Sequence, residues 1–500
     1  MKALRALSLT CVVLLAGLGS LSAQTWTPLT NAPPNGAGNP HLLTDGRVMV
    51  QGNAGNDWWA LTPDSTGSYL NGTWSQLASG PSDYCPLYYP SSVLADGRLV
   101  TIGGEYNLCG PETSSLPGAV YNPKTDTWKS LPNPKGSVWN SGYGMIDSAS
   151  VVLANGDFFV TCAGCGSGPS GDGYAVYATP ADLHWIATGA GKLEGGYDEE
   201  GLTLLPGGKV LTVGVYVAYN SQLYDPSTGT WGASINTVVD FTNPNGEIGP
   251  AVLRPDGTIF QAGGVDATGV NAVFDTATNT WSAAPSFPVV GAGQLDIADG
   301  PGAILPNGNV LLATGPGYTH QGVYYFEWDG TSLNPVPGTP NAPNEVVYGD
   351  RMLVLPTGEI YKTGGGENML YTTAGTYEPS WQPTITSVHK KLHPGDLSQT
   401  LSGTQLNGLS NGAAYGDDFQ NASNYPLIRI TNNASGDVFY ARTHNHSTMG
   451  VATGAQIVST KFDVPCSTEL GASQLVVVAN GIPSSPVDVT IISPPNRCGQ

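Results

Sequence analysis

A unit of two strand-like segments recurs seven times along the chain, at intervals of about fifty residues. In each copy an apolar run is followed by a turn that ends in glycine and then by a second apolar run, as in SSVLADGRLVTIGG. Asp-Gly and Asn-Gly turns are typical of β-hairpins, because these residues tolerate the positive φ that the turn needs. The turn glycines are Gly46, Gly97, Gly156, Gly208, Gly257, Gly308 and Gly358. A period of this length predicts a repeat architecture.

A second pair of strand-like segments follows in each unit, as in AVYNPKTDTWKSLP. Its last strand carries a tryptophan in several copies: Trp74, Trp128, Trp185, Trp231 and Trp281. Four antiparallel strands in each of seven units predict a seven-bladed β-propeller, which we place at residues 24–382. The last unit lacks a fourth strand, and the N-terminal TWTPLTNAP resembles the fourth-strand sequence TWKSLPNP. We therefore predict that the N-terminal segment completes the last blade and leaves no open sheet edge.

The composition agrees with an all-β chain and excludes several classes of protein. There are 67 glycines and 39 prolines among 500 residues, and the hydrophobic fraction of 40% suffices for a packed core. Long helical bundles need runs of helix-forming residues that are not present. The formal charge of −20 argues against nucleic acid or an anionic membrane as a partner. We expect a monomer without a nucleotide cofactor.

The first 23 residues have the features of a signal peptide. Lys2 and Arg5 precede an apolar run, and Leu21-Ser22-Ala23 forms a small-residue cleavage site. The apolar run is too short to span a bilayer as a stable anchor. The sequence therefore predicts a secreted or periplasmic protein that begins near Gln24.

The region after the repeats, residues 383–500, contains short strand-like segments that predict an Ig-like β-sandwich of the early-set class. Six cysteines remain once Cys11 leaves with the signal peptide, and an even number in an exported chain favours disulfides between neighbours. The expected pairs are Cys85–Cys109, Cys162–Cys165 and Cys466–Cys498. A CxxC redox motif at Cys162 is the alternative, but it needs a βαβ setting that the sequence does not offer.

Carboxylates recur just before the first strand of five successive units. They are Asp147, then Asp198 with Glu199 and Glu200, then Glu247, Asp299 and Asp350. In a propeller these positions converge on a central funnel, where like charges raise one another's pKa unless a cation or a ligand compensates them. They predict a cation site, a site for a polyhydroxylated ligand or an acid/base pair. Structural bonding to neighbouring backbone N–H groups is the alternative.

Aromatic residues are expected on the loops of the same face. They are Tyr89, Tyr106, Tyr216, Tyr219, Tyr318 and His320. Aromatic rings stack on the C–H faces of sugars, whereas carboxylates accept bonds from the hydroxyl groups, so the combination favours a glycan. Packing of each tyrosine within its own loop is the alternative.

The segment Thr443-His444-Asn445-His446 is the densest histidine feature of the chain. Two histidines at this spacing could both reach a metal ion, and a hydrogen-bonded surface loop is the alternative.

Taken together, these motifs resemble galactose oxidase and the wider kelch-type copper radical oxidases. In that family a loop of the last domain supplies a histidine to copper, and the resemblance assigns this role to His444. Tyr348 matches the axial tyrosine of the family, but Gly349 replaces its second histidine. Tyr89 matches the equatorial tyrosine, although the partner cysteine of the family has no counterpart. His446 or Asp350 would have to substitute for the missing ligand.

Three hypotheses follow for the function. The first is a secreted carbohydrate-active protein that binds and processes a glycan in the funnel, through a metal ion or through acid/base groups. Its catalytic candidates are Asp198, Glu199, Glu200, Tyr348, Asp350 and His444, and its metal ligands would be His444, His446, Tyr348 and Asp350. The second is a copper radical oxidase of primary alcohols or aldehydes, and the third is a non-catalytic extracellular binding protein. The metal would be copper by the resemblance, with calcium or zinc as alternatives.

Overall fold

The computed structural model describes residues 24–53, 55–110, 118–131, 148–161, 176–178, 185–187, 191–193, 200–266, 268–291, 293–493 and 498. Strands dominate these residues, and the helices among them are the single-turn 3-10 helices Ala342–Asn344, Val347–Gly349 and Pro379–Trp381. No helix within the described ranges is long and apolar enough to cross a membrane.

The repeats form antiparallel four-stranded meanders, which we number along the chain. Meander 1 comprises Pro40–Leu42, Val48–Gln51, Trp58–Thr62 and Thr73–Leu77. Meander 2 comprises Ser91–Val93, Leu99–Thr101, Ala119–Asn122 and Thr127–Ser130. Meander 3 comprises Ser150–Val152, Phe158–Val160, Val176–Ala178 and Trp185–Ala187. Meander 4 comprises Thr203–Leu204, Val210–Val213, Ser221–Asp225 and Thr230–Trp231. Meander 5 comprises Ile248–Leu253, Thr258–Gly263, Asn271–Asp275 and Thr280–Ala284. Meander 6 comprises Gly302–Ile304, Val310–Thr314, Tyr324–Trp328 and Leu333–Val336. Meander 7 comprises Arg351–Val354, Ile360–Gly364, Glu367–Thr372 and Thr25–Pro28.

The first strands of successive meanders contact one another in a closed ring, and the last contacts the first. These inner strands are buried, whereas outer strands such as Thr127–Ser130 are mostly exposed to solvent. The burial gradient explains why each repeat begins with an apolar run and ends in a polar strand. The expectation of an all-β chain with a propeller-like arrangement is confirmed.

The N-terminal segment completes the last meander, as predicted. Thr25–Pro28 pairs antiparallel with Glu367–Thr372 in a register that places Trp26 opposite Tyr371. The indole of Trp26 donates a hydrogen bond to Pro337 O of meander 6, over 2.8 Å. Trp128 bonds in the same way to Ala78 of the preceding meander. These tryptophans therefore join neighbouring meanders.

The C-terminal region forms a separate sheet that mixes parallel and antiparallel strand pairs. Its strands are Thr384–Val388, Lys391–Leu392, Gln399–Thr404, Leu427–Asn432, Val438–His444, Ile457–Asp463, Gly471–Ala479, Ile482–Pro483 and Val487–Ile491. Two of the expected disulfides are present, Cys85–Cys109 and Cys466–Cys498. Cys162 and Cys165 lie outside the described residues.

One hairpin leaves this region and enters the ring. Its strands Gly412–Ala414 and Gln420–Ala422 extend the sheet of meander 6, with Ala413 opposite Ala303. The hairpin also contacts the inner strands of meanders 1, 2, 5 and 7. It therefore runs along the centre of the ring and presents its tip, residues 415–419, at the other end. Two short ladders, Pro86–Leu87 with Tyr106–Asn107 and Val289–Val290 with Gly293–Gln294, complete the described strands.

Candidate active site

A cavity of about 320 Å³ lies at the hairpin tip, where the inner strands begin. Four tyrosines, four acids and one leucine line it: Leu87, Tyr88, Glu105, Tyr106, Glu247, Asp299, Tyr318, Tyr348 and Asp418. The volume is at the lower end of the range of about 300–1,000 Å³ that is typical of small-ligand pockets. We call this space the funnel cavity.

The carboxyl groups of Glu247 and Asp299 are close neighbours in its wall. Burial first, and then the charges of Asp417, Glu247 and Asp418, raise the pKa of Asp299 well above its ordinary value. Two carboxyl groups in contact repel each other unless a proton lies between them, and the raised pKa of Asp299 favours its protonated form. The pair offers a proton donor beside a proton acceptor.

The hairpin tip supplies two acids that the sequence analysis did not select. Asp417 and Asp418 are both buried beside Asp299, and Asp418 lines the cavity. They lie within the C-terminal region and only the path of the hairpin brings them to the funnel. A signal was present in the sequence, because Tyr415-Gly416-Asp417-Asp418 places adjacent acids after glycine in a chain with few charges.

Gly416 permits this placement of the tip. A Cβ atom at residue 416 would collide with the backbone oxygen of Ile248, the residue that follows Glu247. The absence of a side chain therefore allows the tip to pass directly beside meander 5 and to reach the carboxyl pair.

Arg351 fixes the tip to meander 7. Its guanidinium carbon lies 4.5, 4.8 and 5.2 Å from the ring centroids of Phe419, Tyr415 and Tyr88. One of its nitrogens, Nη1, donates hydrogen bonds to the backbone oxygens of Tyr348 and Asp350, over 2.7 and 3.0 Å. Arg351 thereby holds two cavity residues, Tyr88 and Tyr348, in position from behind.

Two of the predicted funnel acids form buried ion pairs instead. A carboxylate oxygen of Asp350 lies 3.0 Å from Nζ of Lys362, and its other oxygen accepts a hydrogen bond from the Tyr325 hydroxyl over 2.7 Å. Glu200 lies 2.8 Å from Nζ of Lys192. Neither acid belongs to the described cavity lining, and each is bound by side chains rather than by the backbone N–H groups of the structural alternative. Asp147, Asp198 and Glu199 lie outside the described residues.

The predicted aromatic residues divide between the cavity and its surroundings. Tyr106, Tyr318 and Tyr348 line the cavity, and the rings of Tyr318 and Tyr348 are 6.0 Å apart. Tyr89 is buried against Phe419, and its neighbour Tyr88 lines the cavity in its place. Three other aromatic candidates are exposed and do not belong to the lining: Tyr216, Tyr219 and His320.

The histidine motif lies at the opposite end of the ring. His444 Nε2 is 3.2 Å from Asp463 Oδ1, and His446 Nδ1 is 2.9 Å from Thr460 Oγ1. The backbone N–H of His446 donates to the oxygen of Ala95, which is in the hairpin turn of meander 2. That turn follows strand Ser91–Val93, whereas Tyr88 precedes the same strand at the cavity end.

This placement corrects the expected role of the loop. The segment that enters the ring is the hairpin Gly412–Ala422, which brings Asp417 and Asp418, and not the segment that contains His444. The structure therefore does not bring His444 or His446 together with Tyr348.

The funnel cavity does not fit a copper ion. Copper(II) favours nitrogen-rich sites, but no histidine belongs to the cavity lining in the described part of the chain. Among all residues that the structure describes, no group of three histidine, cysteine, aspartate or glutamate side chains is arranged to hold a metal ion. The oxygen-rich lining is instead suited to hydroxyl groups and to protons.

Comparisons with known proteins agree with the architecture. Two galactose oxidase sequences from Gibberella zeae are 35% identical to this chain over 98 residues. The resemblance to galactose oxidase is confirmed. The match covers 19% of this chain and 13% of the length of galactose oxidase, so the chain spans only a small part of the curated relatives.

A solved structure of a fungal alcohol oxidase of the AA5 family, in complex with copper, covers 94% of this chain and 99% of its own. Its TM-score is 0.51 and its sequence identity is 13%, which establishes similarity of fold. No family model matches the chain.

Proposed function

We propose that this protein binds a saccharide in the funnel cavity and processes it by acid/base chemistry. The observation that carries the proposal is the close contact between the carboxyl groups of Glu247 and Asp299 in a cavity lined by four tyrosines. Tyrosine rings stack on sugar faces, and their hydroxyl groups together with carboxylates bind sugar hydroxyls. A site of this composition favours a polyhydroxylated ligand over an apolar one.

Hydrolysis of a glycosidic bond is the reaction that two carboxyl groups suit best. Protonated Asp299 would donate its proton to the oxygen of the leaving sugar. The carboxylate of Asp418 would accept a proton from the water that attacks the anomeric carbon, since Glu247 touches Asp299 and leaves no space for a water between them. No step of this scheme needs a metal ion.

The test is turnover of a panel of oligosaccharides by the mature protein, with products separated by chromatography. Asp299→Asn keeps the size of the side chain but removes the proton donor, and we expect the rate to fall by about 10²–10⁴-fold. Asp488→Asn removes one charge from an exposed position in a strand of the C-terminal sheet, and it should leave the rate unchanged. Equal rates for wild type and Asp299→Asn would contradict the proposal.

A copper radical oxidase is the second candidate, supported by the similarity to galactose oxidase and by Tyr348 in the cavity wall. It requires copper ligands that the described lining does not provide. The test is hydrogen peroxide release from copper-loaded protein with primary alcohols and aldehydes, and release that Tyr348→Phe abolishes would favour this candidate. A non-catalytic binding protein is the third, and it predicts saccharide binding without any product.

The proposal includes the architecture and the location of the protein. The closed ring of inner strands supports a seven-bladed kelch-type propeller over residues 24–382. The mixed sheet supports an early-set Ig-like domain over residues 383–500. The signal-like residues 1–23 support export, which N-terminal sequencing of the protein recovered outside the cytoplasm would test.

A further inference from the structure

The funnel cavity has an excess of negative charge. Four acids belong to its lining, Glu105, Glu247, Asp299 and Asp418, and no lysine or arginine is among the lining residues that the structure describes. The cation Arg351 lies against the ring of Tyr88 and is in contact with two further rings. Its charge acts on Asp418, but the guanidinium does not enter the cavity.

Buried oxygen atoms in this wall have no hydrogen-bond partner. Glu247 is 7% exposed, and its Oε2 atom has no partner within the described residues. The same holds for Oδ1 of Asp299. Leaving a buried polar atom unpaired costs free energy, and the cost is larger for a charged group. The wall is therefore prepared for a donor that the protein itself does not supply.

Tyrosine rings surround these oxygens. Tyr318 and Tyr348 line the cavity as one ring pair, with centroids 6.0 Å apart, and Tyr88 and Tyr106 line it as another, with centroids 6.4 Å apart. Ring faces attract cations, and they also stack on sugars. Anionic sugars such as uronates would be repelled by the same acids.

We propose that the ligand of the funnel cavity is an amino sugar, whose ammonium group lies among the carboxyl groups of Glu247, Asp299 and Asp418. The inference rests on the proposed function, because it names the class of saccharide that the site takes. An ammonium group brings three donors and a positive charge to the unpaired oxygens, while the sugar ring stacks on tyrosine. A neutral sugar supplies the hydroxyl donors but leaves the charge uncompensated.

The test is calorimetric titration at pH 6 with three sugars of the same ring: glucosamine, glucose and N-acetylglucosamine, together with the three galactose counterparts. We expect the amine to bind about tenfold or more tightly than both neutral sugars, because close opposite charges attract strongly in a partly buried site. The advantage should decrease in 0.5 M NaCl, since part of the attraction is screened.

Variants show whether the advantage arises in the cavity. Glu247→Gln and Asp418→Asn should each reduce the preference for the amine severalfold, whereas Asp488→Asn should retain it. Thermal unfolding of each variant verifies that the fold is intact, and the more conservative Asp418→Glu should restore the preference if Asp418→Asn loses it.

The outcomes separate this inference from the proposed function. Equal affinity for charged and neutral sugars, with both weakened by the cavity variants, would overturn the amino-sugar inference and leave the saccharide site standing. Preference for the amine that no cavity variant changes would also overturn it, since it would reflect the acidic surface as a whole. Absence of binding by all six sugars would contradict both.

Discussion

Asp299 is the residue on which the account of the site depends most. Burial and then the neighbouring acids, Glu247 among them, raise its pKa, so the folded protein holds a proton that the unfolded chain releases above the ordinary pKa of 3.8. Stability linked to such a group is present at low pH and is lost as pH rises.

Asp299→Asn removes this titration, so we predict that the variant keeps more of its stability than wild type as pH rises from about 4 to 8. The difference in slope of the unfolding free energy should be at most about 1.4 kcal/mol per pH unit, which is the value for one proton. Urea unfolding across this range measures it. Parallel pH profiles would show that Asp299 is ionised in the folded protein.

His446 has the opposite dependence on pH. Burial, and then the neighbouring His444, lower its pKa from 6.5 to about 3. The folded protein therefore keeps His446 neutral, and its contribution to stability is lost as pH falls from 6.5 towards 3. We predict that His446→Gln, which cannot take up this proton, loses less stability than wild type over that interval. Thermal unfolding at intervals between pH 7 and 4 measures this difference. The same loss of stability in wild type and variant would contradict the lowered pKa of His446.

At the scale of elements, the strands of the meanders follow from local sequence because apolar runs and turn residues determine them. The hairpin Gly412–Ala422 could not be predicted in its role, since its position depends on how the C-terminal sheet packs against the ring. For the same reason the histidine motif was assigned to the funnel, although the strand that carries it pairs with Ile457–Asp463 at the other end. Sequence patterns locate elements better than they locate what long-range packing brings together.

The hairpin tip allows a direct test of this packing. Gly416→Ala introduces a methyl group against the backbone of Ile248, and we predict a destabilisation of about 1–3 kcal/mol together with weaker saccharide binding. Gly232→Ala is a matched control, because its Cβ would make only ordinary contact with the oxygen of Leu223, at 3.5 Å. Chemical unfolding and calorimetric titration of both variants provide the comparison. Equal behaviour of the two variants would show that the tip does not pass beside meander 5.

At the scale of the whole molecule, the ring is closed by its N-terminal strand. Trp26 lies between the rings of Tyr325 and Tyr371, with both centroids at 4.9 Å, and bonds to Pro337. Because Trp26 is only partly buried, we predict that Trp26→Ala lowers the free energy of unfolding by about 2–3 kcal/mol, less than for a core tryptophan, and that Trp26→Phe, which loses mainly the hydrogen bond, lowers it by about 1 kcal/mol. Urea unfolding measures the series, and a loss below 1 kcal/mol for Trp26→Ala would show that closure does not depend on this strand.

The architecture was accessible from the sequence because the repeat and the missing fourth strand are local patterns. The funnel was accessible only in part: Glu247 and Asp299 followed from their position before inner strands, whereas Asp350 has the same position and is neutralised by Lys362. Whether an acid at this position faces the cavity or a buried lysine depends on side chains from other strands. This is information that a single repeat does not contain.

The central claim is that the funnel cavity is a saccharide site built on Glu247 and Asp299. The most direct measurement is a crystal structure of the mature protein grown with glucosamine. We expect the sugar ring to lie against Tyr318 or Tyr348, with its amine within hydrogen-bonding distance of the carboxyl groups of Glu247 and Asp299. An empty cavity with the sugar bound elsewhere, or a copper ion held in the cavity by histidines, would contradict it.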